Sequence, residues 1–271
     1  MGGELAEIGK IAAGATIITP LALKVFGPTA EYMGTGLKDF AAKRVENVNR
    51  IIKNAFGKLG EKAEEPGAVP PKVLKGILDE GSFCDDELGA EYFGGVLASS
   101  RSGVNRDDRG AAFLSLIGRL SSYQIRTHYV FYHIIKSLNE GLQINLQELQ
   151  GRIKAKVYVP FEVFYPAMDP TEGEEWYNLL PHIMFGLLRE GLIETFEYGN
   201  KVRDISEEVT SKIGGIMVQP SAIGIELFLW AYGKSGIPIN AYLLEENTFE
   251  LKAGIAINSG SIRVSKEDPT H

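Results

Sequence analysis

The chain of 271 residues contains a single cysteine, Cys84. One cysteine cannot form an intramolecular disulfide or supply a cysteine-based zinc cluster. Two carboxylates follow it, Asp85 and Asp86, and they oppose ionisation of the thiol, so we expect a packing residue rather than a reactive thiolate. Residues 1–10 hold two Glu and one Lys instead of the basic start of a secretory signal. These features together predict a reducing, cytoplasmic location.

The sequence also lacks an excess of positive charge, since its formal net charge is −7. Non-specific binding to nucleic acid needs basic surface, so this composition does not favour it. The charges occur in blocks: residues 36–62 have seven Lys or Arg against three Asp or Glu, and residues 63–100 have two against eight. Such blocks are typical of complementary protein faces, and they predict a protein partner or a homo-oligomer. Lys43, Arg44 and Arg50 are the candidate interaction residues of the first basic block.

No apolar run is long enough for a confident membrane span. The least polar stretch, residues 11–27, is shorter than the roughly 20 residues that a spanning helix needs, and Pro20 interrupts it. We expect it to pack in the core or in an oligomer interface, with peripheral membrane contact as the open alternative. Its candidate interaction residues are Ile11, Ile17, Ile18, Leu21, Leu23, Val25 and Phe26.

Signatures of catalysis are missing as well. No Gly-x-Ser-x-Gly elbow, His-Glu-x-x-His zinc pair or calcium-loop pattern occurs, and we expect no cofactor and no metal site. Gly233-Lys234-Ser235 is similar to the end of a phosphate-binding loop. The upstream position that requires glycine holds Phe228, however, so backbone amides cannot cradle a phosphate there.

What the sequence does contain is helical periodicity. Apolar residues recur at helical spacing through residues 36–59, which predicts a long amphipathic helix, and residues 60–71 are typical of a linker. Ser82 and Asn105 are predicted to cap the next two helices. The predicted fold is therefore mainly α, with an apolar segment at residues 1–27 and a helical bundle at residues 28–120.

The pattern changes after residue 120. Ser121 and Ser122 begin a predicted helix that ends near Asn139, residues 156–165 suggest an extended segment, and residues 174–191 return to helix. Two further extended segments and a helix opening at Ser221 complete a pattern typical of a winged helix. We predict a winged-helix-like α+β domain over residues 121–235 and a short β-rich tail over residues 236–271.

Several stretches resemble the Abi-alpha (abortive-infection alpha) family. Residues 27–40, Gly-Pro-Thr-Ala-Glu-Tyr-Met-Gly-Thr-Gly-Leu-Lys-Asp-Phe, resemble its entry motif, and residues 69–74, Val-Pro-Pro-Lys-Val-Leu, with the acidic helix after Asp85 are similar to its second element. Residues 113–121, Phe-Leu-Ser-Leu-Ile-Gly-Arg-Leu-Ser, and residues 218–228 resemble later elements. The resemblance covers about residues 27–233. It implies a bacterial or phage-encoded helical protein of antiphage defence, and it implies no chemistry.

The main hypothesis is therefore a non-enzymatic effector that acts through protein contacts and oligomerisation. One alternative is a HEPN-like ribonuclease, because Arg126 and His133 lie seven positions apart on a predicted helix and so share one face. There the histidine would act as general acid or base and the arginine would stabilise a phosphate.

A third hypothesis is a winged-helix regulator that binds DNA. The helix that would enter the major groove begins with Glu174 and Glu175, however, and Arg189 is its only strong base. Carboxylates repel phosphates, so this pattern favours packing or protein recognition. His182 on the same helix is predicted to be a surface or interface residue.

Overall fold

A computed structural model describes residues 37–102, 107–200 and 213–264. These residues are mainly helical, as the sequence predicts, and they include a small four-stranded antiparallel sheet. The nine α-helices of the described residues are α1 Leu37–Leu59, α2 Pro71–Asp79, α3 Glu87–Ser99, α4 Arg109–Arg119, α5 Ser122–Asn139, α6 Leu149–Lys154, α7 Phe161–Ala167, α8 Trp176–Arg189 and α9 Ala222–Ala231. The strands are β1 Val157–Pro160, β2 Ile193–Gly199, β3 Gly215–Pro220 and β4 Ile262–Arg263.

The start of α3 differs from the prediction. Its N-cap is Asp86, whose carboxylate accepts a hydrogen bond from the backbone N–H of Gly89 at 2.6 Å. Ser82 lies earlier, in a 3₁₀ turn at Gly81–Phe83, and its hydroxyl donates to the carbonyl of Leu78 at 2.6 Å. The prediction that Ser82 caps α3 was wrong, because its hydroxyl hydrogen-bonds to a carbonyl at the end of α2 and not to a backbone N–H at the start of α3. The predicted cap Asn105 lies outside the described residues.

Helix α5 is the central helix of the fold. The Ser121 hydroxyl accepts from the Gln124 backbone, and the Gln124 side chain accepts from the Ser121 backbone, which forms a capping box. The predicted start at Ser121 and Ser122 and the predicted end at Asn139 are both confirmed. Helices α3, α8 and α9 pack around α5, so most of its residues are buried.

The sheet has the order β2-β3-β1-β4, and each pairing is antiparallel. Strand β3 pairs with β1 on one side and with β2 on the other. The segment predicted to be extended, residues 156–165, contains β1. Its second half was predicted wrongly, because the helix α7 begins at Phe161. Phe161 and Phe164 recur at helical spacing, and Phe164 is fully buried against α5.

The tail is not β-rich within residues 236–264. That stretch contains one 3₁₀ turn, Ile239–Ala241, and the two-residue strand β4. Three of its apolar residues, Tyr242, Leu243 and Ile255, are buried in the main hydrophobic cluster. The apolar residues of the tail therefore anchor an irregular segment on the core and do not form a set of strands.

Apart from a small cluster of Tyr158, Met217 and Val264, most buried apolar side chains form one large connected cluster. It extends from Ile51 in α1 to Ile255 in the tail and includes residues on both sides of position 120. None of the helices in the described residues is both long and apolar enough to cross a membrane. The apolar segment at residues 11–27, with its candidate residues from Ile11 to Phe26, lies outside the described part of the chain.

Candidate functional site

The two residues of the ribonuclease hypothesis lie on α5 but engage different neighbours. Arg126 donates from Nε to the carbonyl of Ala167 at 2.8 Å, and its Nη2 lies 3.8 Å from a carboxylate oxygen of Asp169. The Nε2 atom of His133 is hydrogen-bonded to the hydroxyl of Tyr232 at 2.6 Å. Arg126 therefore faces the end of α7 and His133 faces α9, so the structure does not bring their polar groups together.

Burial also changes the chemistry of His133. Its side chain is 8% exposed and packs edge-on against the ring of Phe228 at 5.1 Å between centroids. Loss of solvent lowers the pKa of His133 to about 4. The imidazole is therefore neutral at physiological pH and cannot serve there as a general acid.

A second histidine of α5, His128, has a structural role. Its Nε2 lies 3.1 Å from the carbonyl oxygen of Gly224, which can only accept, so Nε2 carries the proton. Nδ1 then accepts from the hydroxyl of Tyr92 at 2.7 Å. Burial lowers the pKa of His128 to about 3, and this neutral imidazole connects α3, α5 and α9.

The basic candidates of α1 contribute mostly to internal contacts. Arg44 donates to the Ser82 hydroxyl from Nε at 3.0 Å, and its guanidinium lies 4.2 Å from the centre of the Phe83 ring. Arg50 donates to the carbonyl of Asp85 at 2.8 Å. Lys43 is exposed on the same helix. Arg44 and Arg50 thus hold α1 against the segment that joins α2 to α3.

Cys84 is half-buried beside the start of α3. Burial, followed by the charges of Asp86 and Asp85, raises the pKa of the Cys84 thiol to about 11. The thiol is therefore protonated at neutral pH, as its acidic neighbours predict. In the three described ranges, no group of His, Cys, Asp and Glu residues is arranged to hold a metal ion.

Helix α8 carries the most prominent apolar surface of the C-terminal half. Its inner face packs on α5 through Ile183, Met184 and Leu187. Apolar residues also occupy the outer face, where Tyr177 is 92% exposed and Phe185 is 60% exposed. Sequence reasoning assigned the inner face and overlooked the outer one. The available signal was an amphipathic pattern with additional apolar residues on its polar side.

An aromatic cleft of about 480 Å³ lies beside the start of α8, between α7 and the end of β2. The rings of Phe161 and Tyr165 stack at 5.0 Å with 9° between their planes, and Tyr165 lies 5.2 Å from Trp176. Among the described residues, neither Lys nor Arg lines this cleft, and the exposed Glu175 precedes α8. The surface is therefore aromatic with an acidic border.

No protein-family model matches the chain, and neither a curated protein nor a solved structure shows significant similarity to it. Function must therefore be inferred from the residues themselves. The Arg126 and His133 side chains serve internal contacts, whereas among the described residues the outer face of α8 is exposed and adjoins the aromatic cleft.

Proposed function

We propose that this chain is a non-enzymatic interaction protein of antiphage defence, of the kind that the resemblance to Abi-alpha proteins implies. It acts through protein contacts and self-association. The exposed apolar face of α8 carries the proposal, since apolar patches of this kind mark protein-protein contact sites. The cytoplasm, with peripheral membrane contact through residues 11–27, is the proposed location.

The topology supports a winged-helix-like unit. Its elements follow the order α5, α6, β1, α7, α8, β2 and β3, in which the short helix α6 is an addition, and β3 lies between β1 and β2 in the sheet. In such units the helix that precedes the two-stranded wing presents the recognition surface. Helix α8 holds that position here.

The chemistry of α8 favours protein over DNA. A helix that reads the major groove needs basic or amide side chains facing outward. The outer face of α8 mainly presents Tyr177, Phe185 and Leu188, which is 38% exposed, and its exposed amide, Asn178, donates to Glu175 at 2.7 Å. Its only strong base, Arg189, forms an ion pair with Glu190 at 3.1 Å. Phosphate contacts would find little positive charge there, while a protein partner would bury apolar area.

Ribonuclease activity has no comparable support. A general acid or base must titrate near the working pH and reach its substrate. The pKa of His133 is lowered to about 4 by burial, and its Nε2 is hydrogen-bonded to Tyr232. The Arg126 guanidinium is occupied by Ala167 and Asp169.

A charge introduced on the outer face of α8 tests the proposal. Phe185→Glu should turn an oligomer of the wild-type chain into a monomer in sedimentation velocity and should abolish phage protection in plaque assays. Leu149→Glu is the matched control, because Leu149 is 53% exposed on α6. A wild-type chain that is monomeric at every concentration, with full protection by Phe185→Glu, would refute the proposal.

A deletion separates packing from membrane contact. Removing residues 1–27 should abolish liposome binding if that segment meets lipid, and should change only the oligomeric state if it meets protein. Both readouts are taken on the same preparation, alongside phage protection. A deletion variant that equals wild type in all three measurements contradicts a functional role for the apolar segment.

A further inference from the structure

A second cleft, of about 540 Å³, lies on another part of the molecule. We call it the polar cleft; it lies between the end of α1, α3, the end of α9 and residues 248–253 of the tail. Its apolar wall includes Leu88, Ala231 and Leu251. A volume of this size is typical of sites for small molecules, which combine apolar walls with a few polar groups.

Two tyrosine hydroxyls shape its inner surface. The backbone N–H of Lys252 donates to the Tyr129 hydroxyl at 2.6 Å, and the Tyr232 hydroxyl donates to the carbonyl of Glu250 at 2.8 Å. These bonds hold the tail segment as a fixed wall. Burial raises the pKa of both phenols, so both remain protonated and neutral.

Three lysines, Lys58, Lys234 and Lys252, line the polar cleft together with two carboxylates, Glu91 and Glu250. Lys58 Nζ lies 2.9 Å from one oxygen of Glu91, and Lys252 Nζ lies 3.4 Å from the other. Lys252 also lies 3.8 Å from Glu87, whose side chain is 80% exposed. The Glu91 carboxylate is thus shared by two ammonium groups, those of Lys58 and Lys252. Burial opposes ionisation of Glu91, but the two lysines outweigh it and lower the pKa of this carboxyl.

Lys234 has no carboxylate within 4.0 Å in the part of the chain that the structure describes. Its ammonium donates to the carbonyl of Thr248 at 2.6 Å and lies 4.8 Å from the centre of the Phe249 ring. Glu250 lines the cleft but is farther than ion-pair distance from Lys234. Loss of solvent lowers the pKa of Lys234; the charge of Glu250 opposes this shift and the smaller effect of Lys136 adds to it. An anion in the cleft would supply the missing partner.

We propose that the polar cleft binds a small phosphorylated ring compound, of about the size of a nucleoside monophosphate. A phosphomonoester carries about −1.5 to −2 charges at neutral pH, which complements the one positive charge by which the three lysines exceed the two glutamates of the lining. The ring body would pack on Leu88 and Leu251, beside the tail wall that the two tyrosine hydroxyls hold in place. A lysine ammonium binds phosphate as a point charge. Lys234 therefore does not need the glycine-rich loop that a phosphate-binding loop motif would require.

Pyridoxal 5′-phosphate is a direct probe of this arrangement. Its aldehyde condenses with a lysine amine to an imine with loss of water, and borohydride then fixes the adduct for peptide mass mapping. We expect full-length protein to be labelled at Lys234 about tenfold faster than at Lys72, whose side chain is 70% exposed. Pyridoxal without the phosphate should show no such preference. Equal labelling of the two lysines, or equal preference with both reagents, overturns the proposal.

Competition identifies the ligand chemistry. AMP should protect Lys234 at a concentration about tenfold lower than inorganic phosphate does, because the ring adds apolar contacts. Equal protection by both would overturn the requirement for a ring, and protection by neither would overturn the site. Lys252→Gln should weaken protection by AMP, whereas Lys75→Gln, at a side chain that is 75% exposed, should not. Circular dichroism checks that both variants fold.

Discussion

Two buried histidines should make the protein less stable as the pH falls from 7 to 5.5. Burial lowers the pKa of His128 to about 3 and that of His133 to about 4, whereas an unfolded histidine titrates near about 6.5. In this pH window the unfolded chain takes up protons at both positions and the folded chain does not. Protonation therefore favours unfolding, and the stability conferred by the neutral histidines is lost as the pH falls through the unfolded pKa.

The size of the effect follows from the same values. Between pH 7 and 5.5, each histidine with an unfolded pKa of about 6.5 and a folded pKa well below 5.5 reduces the free energy of unfolding by about 1.2 kcal/mol. Both together give about 2.5 kcal/mol, a substantial fraction of the stability of an ordinary domain. Most carboxylates titrate below this window, so the histidines should dominate the slope.

Urea unfolding followed by tryptophan fluorescence at several pH values measures the slope. His133→Gln should reduce the loss between pH 7 and 5.5 to about 1.2 kcal/mol, since only His128 then titrates. His182→Gln is the control, because it removes an exposed histidine of α8 and keeps both buried ones. A wild-type loss under about 1 kcal/mol, or the same loss in wild type and His133→Gln, would refute the assignment of these histidines.

Four further predictions concern packing, helix propensity, capping and reactivity. Gly95→Ala should destabilise the protein by about 3 kcal/mol in urea unfolding, because the added Cβ would lie 1.8 Å from the Ala231 carbonyl oxygen. Gly57→Ala, whose Cβ meets nothing within 4 Å, should instead stabilise α1 by about 0.5–1 kcal/mol. Ser121→Ala removes the capping box of α5 and should cost about 1 kcal/mol. Cys84 should react with iodoacetamide far more slowly than free cysteine at pH 8, because its pKa is raised to about 11, and equal rates would contradict this.

The main helices could be predicted from the sequence because their local signals agree with the fold. Residues 36–59 combine strong amphipathic spacing with a glycine at position 60, and α1 ends at Leu59. Ser121 and Ser221 both form the side-chain caps that their position suggested. Ser82 misled because serine favours several local hydrogen bonds, and tertiary contact with Arg44 selected a different one.

The candidate surfaces were harder to predict because they depend on contacts between distant segments. Lys58, Glu91 and Lys252 lie far apart in the sequence and meet only in the folded chain. The aromatic cleft similarly combines Phe161 and Tyr165 with Tyr198. The periodicity of a single helix or strand carries no information about such contacts between distant segments. The apolar residues on both sides of α8 were a signal for the exposed Phe185, but the sequence alone does not decide which of the two faces packs inward.

Helix α5 explains why residues that look catalytic need not be so. A histidine on a central helix must satisfy its polar atoms internally, and Tyr92 and Gly224 do this for His128, as Tyr232 does for His133. Those bonds hold α3 and α9 against α5, and both α3 and α9 contribute residues to the polar cleft. The side chains available for recognition are therefore those that do not take part in the packing of the core. They are the outer apolar residues of α8 and the lysines around Glu91, and interaction with other molecules should depend on them.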